Sequence, residues 1–429
     1  MFSFKKTLAG VLSCTMLLGS LVISGCSDSN TSGAQSADNT SNGSSTAHQG
    51  EIKDISSVEL VKDMKIGWSL GNTLDGGNKV NRGQAPGSIE KSWGNPDTTK
   101  EMIDEIKKAG FNVLRVPTTW DWSTGEAPEY KISDEWFARV KEIVDYGMEN
   151  DMYVILNIHH ETWHYPTEDN YEAASDRLKK VWTQIGNYFE NYDEHLIFEG
   201  LNEPRVIGSD EEWTGGSDAT REVVNKLDAD FVSTIRSLGG NNKLRHLMIP
   251  GYAASSSEVA LKALKIPEND DKLIVSVHAY IPYNFALSDN KRSNKWIACK
   301  EGFTNDIDNL ADMLKTLFTD KGQAVIIGEF GARSKDNEKY RAEWAKYYVT
   351  KMKTIGVPCV WWDNDAFIGS GELFGLFDRR NLEWRYPLVK DALISASNGE
   401  YTVDGLKSDT TILDELKKDI AQSKNSSAE

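Results

Sequence analysis

Cysteine is scarce in this 429-residue chain, with only Cys14, Cys26, Cys299 and Cys359. They form no CxxC pair and no zinc-ligand spacing. Cys359 falls in an apolar run and reads as core, and whether it pairs with Cys299 stays open. Positive charge is also short. Lys and Arg number 48 against 65 Asp and Glu, a formal net charge of −17. Duplex affinity rests mainly on basic contacts to phosphate, so nucleic acid is excluded as a partner. Adhesion to an anionic membrane surface is disfavoured for the same reason. An acidic chain suits an uncharged partner, and neutral polysaccharide is one. Long apolar runs are missing beyond the N-terminus, so no second segment is expected to span a membrane. No short internal repeat is visible.

The N-terminus reads as an address. Lys5 and Lys6 precede an apolar stretch over 8–23, and Ile23-Ser24-Gly25-Cys26 resembles a bacterial lipobox. Residues 1–25 are therefore expected to be a lipoprotein signal peptide. Cleavage before Cys26 leaves its thiol to carry a diacylglyceryl group, whose two acyl chains anchor stably. The expected location is the extracellular face of a bacterial membrane, with the membrane as partner through that lipid. Residues 26–50 are Ser, Asn, Gly and Thr with almost nothing apolar, the composition of a tether.

From residue 51 to about 400 the texture alternates. Apolar, β-rich runs at 65–70, 111–116, 152–158, 195–201, 246–250, 272–277, 324–327 and 357–362 predict strands. Between them lie helix patterns at 101–109 (capped by Asp97 or Thr98), 134–149, 171–190, 218–237, 303–319, 338–353 and 387–396. Eight such units in a single α/β domain predict a closed parallel (β/α)8 TIM barrel, buried on both faces of its sheet. The tail 401–429 is polar, with one helix expected near 413–420. A monomer is expected.

In a barrel of this type the active site lies at the C-terminal strand ends. Those ends are polar here: Arg115, Asn157 to Glu161, Asn202-Glu203, His278 with Tyr280, Glu329, and Trp361 to Asn364. Side chains alternate faces along a strand, so Glu203 shares a face with Glu199, and His278 with Tyr280. Glu199 lies deeper and reads as a structural partner for a cation or hydroxyl inside the barrel. Two carboxylates, Glu203 and Glu329, suit acid/base and nucleophile work on an acetal. Arg115 can keep a carboxylate ionised, Tyr280 can donate to it, and Asn202 can hold a sugar hydroxyl. Trp93, Trp120, Trp122, Trp163, Trp361 and Trp362 fall in or beside strand-end loops, and indole faces suit pyranose rings. His159-His160-Glu161 looks like a metal cluster. Neighbours on a strand face opposite ways, however, so no metal and no cofactor is expected.

These motifs resemble glycoside hydrolase family 5, the large cellulase family, over about residues 60–397. Asn202-Glu203-Pro204 matches its acid/base motif and Gly328-Glu329-Phe330-Gly331 its nucleophile motif. Arg115, His159, His278, Tyr280 and Trp362 match the remaining active-site positions in order. Gly67 to Asp75, which includes Asn72, and Ser92-Trp93-Gly94-Asn95-Pro96 resemble the broad-specificity bacterial endoglucanases. With His160 at the third strand end, Asn72 and Trp93 are expected to support substrate binding. The resemblance implies an endo-acting, retaining β-1,4-glucanase whose carboxyl groups stand about 5–5.5 Å apart. The charge of Glu329 is then expected to keep Glu203 protonated. Xyloglucan, mixed-linkage glucan and mannan are alternative substrates on the same machinery. A tethered carbohydrate-binding protein without catalysis is the reading from another class.

Overall fold

The computed structural model describes residues 48–77, 85–369 and 371–426. Cys26, its lipobox and the tether up to residue 47 lie outside the described residues. Eight strands close into a parallel barrel in chain order. They are β1 (Ile66–Leu70), β2 (Val113–Val116), β3 (Tyr153–Asn157), β4 (Leu196–Glu199), β5 (Leu247–Ser255), β6 (Leu273–His278), β7 (Ala324–Phe330) and β8 (Cys359–Asp363). β1 pairs with β8 through Ile66 to Cys359 and Leu70 to Asp363, and so closes the ring. The expected strands are all present. β5 and β7 run further than their apolar cores, because the polar or small residues that follow still pair with β6.

The helices form where apolar residues recur at 3–4 residue spacing. Helix Asp134–Glu149 buries Trp136, Phe137, Val140, Ile143, Val144, Gly147 and Met148, and Ser133 caps it by accepting from the Trp136 amide. Gly147 lets the helix settle on the sheet, because a Cβ there would stand 2.6 Å from Val154. Each large apolar side chain buried this way stabilises the fold by about 1.5–3 kcal/mol. Thr99 holds the N-cap position of helix Lys100–Lys108 without a side-chain cap bond, one residue past the expected cap, and Gly110 follows the helix at positive φ.

Two cores result. Outward-facing strand residues such as Leu114, Leu156, Phe198, Val277 and Trp361 pack under the helices. Inward-facing Val113, Ile155, Ile197, Met248, Ile274, Ile326 and Val360 fill the lower barrel. Leu60, Val61 and Met64, from and just after helix Ser57–Asp63, plug it from beneath. Above this apolar plug the inward positions turn polar. Cys299 and Cys359 are both free. At the other end, helix Val403–Ser408 buries Leu406 and Lys407 pairs with Asp308 at 2.7 Å, so the polar tail begins docked on the barrel.

Candidate active site

Arg115 occupies the centre of the upper barrel. β2 carries it inside, where it is fully buried. Its Nε donates to Glu199 at 2.8 Å, Nη2 to Asn202 Oδ1 at 2.8 Å, and Nη1 to Glu329 Oε1 at 2.6 Å. Burial disfavours the charged guanidinium, but Glu199 and Glu329 outweigh that and hold its pKa above the ordinary value. Glu199 also accepts from Ser276 Oγ at 2.7 Å and Asn157 Nδ2 at 3.0 Å. It is thus the buried partner of a cation and a hydroxyl that its depth implied. Removing one member of such a buried network costs about 3–5 kcal/mol, because a charge is left unpaired.

Glu329 reaches this layer through a break in the pleat. Ile326 faces inward, so strict alternation sends residue 329 outward to the helices. The register slips there: Val277 pairs with Ile327 and His278 with Glu329. The extra residue, Gly328, is a bulge that re-aims the next side chain. A Cβ on it would stand 2.7 Å from Ser276 Oγ and 3.3 Å from His278 Nε2, so glycine is required by space. Phe330 consequently turns outward, onto Trp344, Tyr348 and Trp361. Tyr280 Oη donates to Glu329 Oε2 at 2.9 Å. Burial and the charge of Glu329 push its phenol well above the ordinary range, so it keeps the proton that it donates.

Glu203 follows β4 on a short turn and is the more open carboxyl, with 17% of its side chain exposed. His278 Nδ1 lies 2.9 Å from its Oε1, and Arg205 Nη1 lies 3.3 Å from Oε2. Arg205 is itself held by Glu212 at 3.1 Å and by the ring of Trp213, 4.3 Å away. One carboxylate oxygen each of Glu203 and Glu329 and one His278 nitrogen all lie within 4.8 Å of one another. Burial favours the neutral form of Glu203. The His278 hydrogen bond and charge, then Arg205 and His160, outweigh it and hold the carboxyl below its ordinary value. His278 moves the other way: burial lowers it, but Glu329 and Glu203 raise it. The expectation that Glu329 keeps Glu203 protonated is therefore corrected. In the resting site the favoured seat of the shared proton is His278.

His159 is buried, and its ring lies parallel to Trp362 at 5.6 Å. Asn157 orients it. The Asn157 carbonyl accepts from the Thr118 amide at 3.0 Å, so its NH2 faces His159 Nδ1, also at 3.0 Å. Nδ1 accepts, and Nε2 carries the hydrogen toward the cleft. Burial holds the imidazole neutral, well below its ordinary pKa. His159 and His160 do not face opposite ways, as alternation along a strand would require. β3 ends at Asn157, so both lie beyond the pleat, and their rings meet edge to face at 4.3 Å. Asp75 joins them, with donor-type atoms of all three within 4.8 Å of one another. The Asp75 oxygens already accept from the Asn72 and Thr73 amides, and His160 Nδ1 lies 3.2 Å from the Asp75 carbonyl.

A cleft of about 330 Å³ opens between these groups, lined by Trp93, Trp122, His159, His160, Glu203 and Arg205. Trp93 lies 5.6 Å from His160. Asn72 adopts φ 56° in the turn after β1, and its carbonyl accepts from Asn95 at 2.8 Å, so its backbone shapes that wall. Asn202 is buried with its oxygen committed to Arg115. Of the tryptophans taken as sugar platforms, Trp120 and Trp361 are core residues, bonded to the carbonyls of Asn157 and Phe374. Trp163 braces Glu161 and Arg177. Arg205 and Ser276 are site residues beyond those that the sequence singles out, and Asn157 and Asp363, expected only as polar strand ends, prove to be supports of the site. Arg205 stands two residues after the acid, and Asn157 and Ser276 stand two before His159 and His278. That spacing was the available signal. Asp363 accepts from the Leu376 and Phe377 amides and so anchors the loop beyond Trp362.

The pattern that defines the cellulases (glycosyl hydrolase family 5) matches residues 75–367. The chain belongs to this family. Endoglucanase B of Neocallimastix patriciarum is 47% identical over 365 residues, covering 84% of this chain and 75% of that protein. Among solved structures, a GH5-4 broad specificity endoglucanase from Clostridium longisporum superposes with a TM-score of 0.78 at 45% identity. It covers 81% of this chain and all of that one. Another, from Ruminococcus champanellensis with bound cellotriose, gives 0.76 at 43%, covering 80% and 99%. For a family 5 chain, the glutamates after β4 and on β7 stand where the fold puts its chemistry.

Proposed function

We propose that this protein is an endo-acting β-1,4-glucanase that cuts with retention, Glu329 serving as nucleophile and Glu203 as acid/base. The observation that carries the reading is the approach of the two carboxylates to within 4.8 Å. Retaining enzymes keep their carboxyls about 5–5.5 Å apart, whereas inverting ones need about 6.5–9.5 Å to admit a water. Glu329 attacks the anomeric carbon as the glycosidic C–O bond breaks, and the leaving oxygen takes a proton from Glu203, to which His278 passes the proton that the pair holds. A glycosyl ester on Glu329 and a shortened chain result. Glu203, now ionised, takes a proton from water, the hydroxide portion attacks the same carbon, and the ester bond to Glu329 breaks. Two inversions give the β anomer. Arg115 and Tyr280 orient Glu329 throughout, and Asn202, its oxygen tied to Arg115, offers its NH2 to a sugar hydroxyl.

The bound cellotriose of one relative and the broad specificity of two support glucan as substrate, with xyloglucan, mixed-linkage glucan and mannan as the alternatives on the same machinery. A purely carbohydrate-binding role is the weaker reading, because both glutamates are present with their hydrogen-bond partners assembled. The lipobox-like sequence at Cys26 supports a membrane-tethered enzyme. Proton NMR of the first-formed sugar tests the mechanism: β product is expected, and α product overturns it. Viscosity of a soluble glucan should fall much faster than reducing ends appear, and stepwise release of one small product would sink the endo reading.

A further inference from the structure

At the opposite end of the barrel, under β3 and β4, two imidazoles face one carboxylate on each side. Residues 48–50 end the stretch expected to be tether, yet they are tied down here. The Asp193 amide donates to the His48 carbonyl at 2.9 Å, and the Gly50 amide to Asn191 at 2.9 Å. His48 and His195 lie ring against ring, 4.0 Å between centroids, with His195 stacked on Tyr153 at 4.7 Å. Asp193 accepts from both. Its Oδ2 lies 2.9 Å from His48 Nδ1 and its Oδ1 3.0 Å from His195 Nδ1. A carboxylate oxygen only accepts, so both Nδ1 atoms carry hydrogen, and each Nε2 presents a lone pair in the neutral ring or donates in the imidazolium.

Both Nε2 atoms face a second carboxylate. Asp151 Oδ1 lies 3.1 Å from His48 Nε2 and 3.9 Å from His195 Nε2. With both imidazoles neutral, three acceptor atoms face one another, and a cation between them satisfies all three. All three donor-type atoms lie within 4.8 Å of one another, and nitrogen and carboxylate ligands bind zinc at about 2.0–2.2 Å, so a small closing movement suffices. Asp151 supplies that movement, since its side chain is 78% exposed while the histidines are 18% and 14% exposed. Asp193 completes the pattern: metal-bound imidazoles ordinarily donate their other N–H to a carboxylate, which fixes tautomer and ring orientation.

We propose that His48, His195 and Asp151 bind a divalent ion of the zinc type, with Asp193 orienting both imidazoles and water filling the remaining position. The ion staples His48 to the base of β3 and β4. It stands at the end of the barrel away from Glu203 and Glu329, so its role is structural, not catalytic. A ligand that binds only the folded state stabilises it by mass action.

The test titrates the metal-stripped, full-length protein with zinc chloride alone and reads bound zinc, melting temperature and initial rate on soluble glucan. One equivalent should bind, with a rise in melting temperature and no change in rate, and EDTA should reverse the rise alone. His48→Ala and Asp151→Asn should each abolish stoichiometric binding, and Asp193→Asn should weaken it about 10–100-fold. All three should cut glucan as the parent does. Asn suits the positive φ of residue 151, and residue 48 stands outside the barrel elements, so neither variant should unfold the protein. Sub-stoichiometric binding by the parent overturns the proposal. So does binding that survives His48→Ala and Asp151→Asn, which would place the ion at Asp75, His159 and His160 instead.

Discussion

His278 Nδ1 lies 2.9 Å from Glu203 Oε1 and 3.7 Å from Glu329 Oε2, so a single imidazole touches both reacting carboxyls. It lowers the pKa of Glu203 while its own is raised. The pair therefore titrates as one unit, holding one proton between the lowered value of Glu203 and the raised value of His278.

That coupling sets the alkaline limb of the pH profile. The proton that Glu203 delivers stays in the pair until pH rises through the raised value of His278, above the ordinary 6.5. In His278→Gln the carboxyl holds its own proton, and the ordinary value for such a group is 4.5. The alkaline limb of kcat/KM should therefore move to lower pH by about one unit or more. Initial rates between acid and mildly basic pH check this, and an unmoved limb would separate His278 from the proton.

The two glutamates should fail differently. Glu329→Gln removes the nucleophile and should lower kcat/KM on the order of 10⁴-fold or more on every substrate. Glu203→Ala should still form the glycosyl ester from an aryl glycoside with a good leaving group. It should then turn over faster with azide, yielding the β-glycosyl azide. Near-parental turnover by Glu329→Gln would move the nucleophile elsewhere.

Asp228 stands in helix Asp218–Leu238, fully buried, with neither carboxyl oxygen hydrogen-bonded, and burial raises its pKa well above 3.8. The unfolded chain releases this proton near pH 4, whereas the folded chain keeps it. The folded state then binds more protons, so the parent loses stability as pH rises from about 4 toward the folded value. Asp228→Leu lacks that slope and should gain about 1–4 kcal/mol at pH 7, on the scale seen when buried ionisable groups are replaced by apolar ones. Denaturant melts at pH 7 and pH 4 should show the gain shrinking in acid; an equal or larger gain at pH 4 contradicts a buried neutral carboxyl.

The proposed anchor rests on one thiol. Cys26→Ala should release the protein from the membrane fraction with unchanged specific activity. A variant that still takes up labelled fatty acid and stays with membranes would refute the lipoprotein reading.

Much of the architecture was legible because a parallel barrel writes itself in one dimension. The runs at 152–158 and 324–327 are apolar on both faces, and helices Asp134–Glu149 and Glu338–Lys353 fall within the bounds that their spacing predicts. Arg115, His278 and Glu329 betray the site as polar residues at ends that the core would otherwise claim. Regular alternation of faces stops at the strand ends, and the expectations that depend on it fail there. His159 and His160 lie beyond β3, so both meet at the cleft wall. Trp361 and Trp362 were not separable by counting, and the turn of β8 buries the first under the helices and stacks the second on His159.

The sequence by itself determined the element order, the closed barrel, and the presence of two glutamates with an arginine, a histidine and a tyrosine at the strand ends. These follow from hydrophobic period and residue chemistry, which are local. Only the tertiary structure decided that Glu329 faces inward, that His278 holds Glu203 down, and that His48 returns to His195. Each depends on atoms distant in the chain: the bulge at Gly328 is a mismatch of register with β6 and β8. The balance of burial against charge at Glu203 is a sum over β4, β6 and the loops beyond β3 and β4. Such sums and mismatches exist only once the strands are side by side.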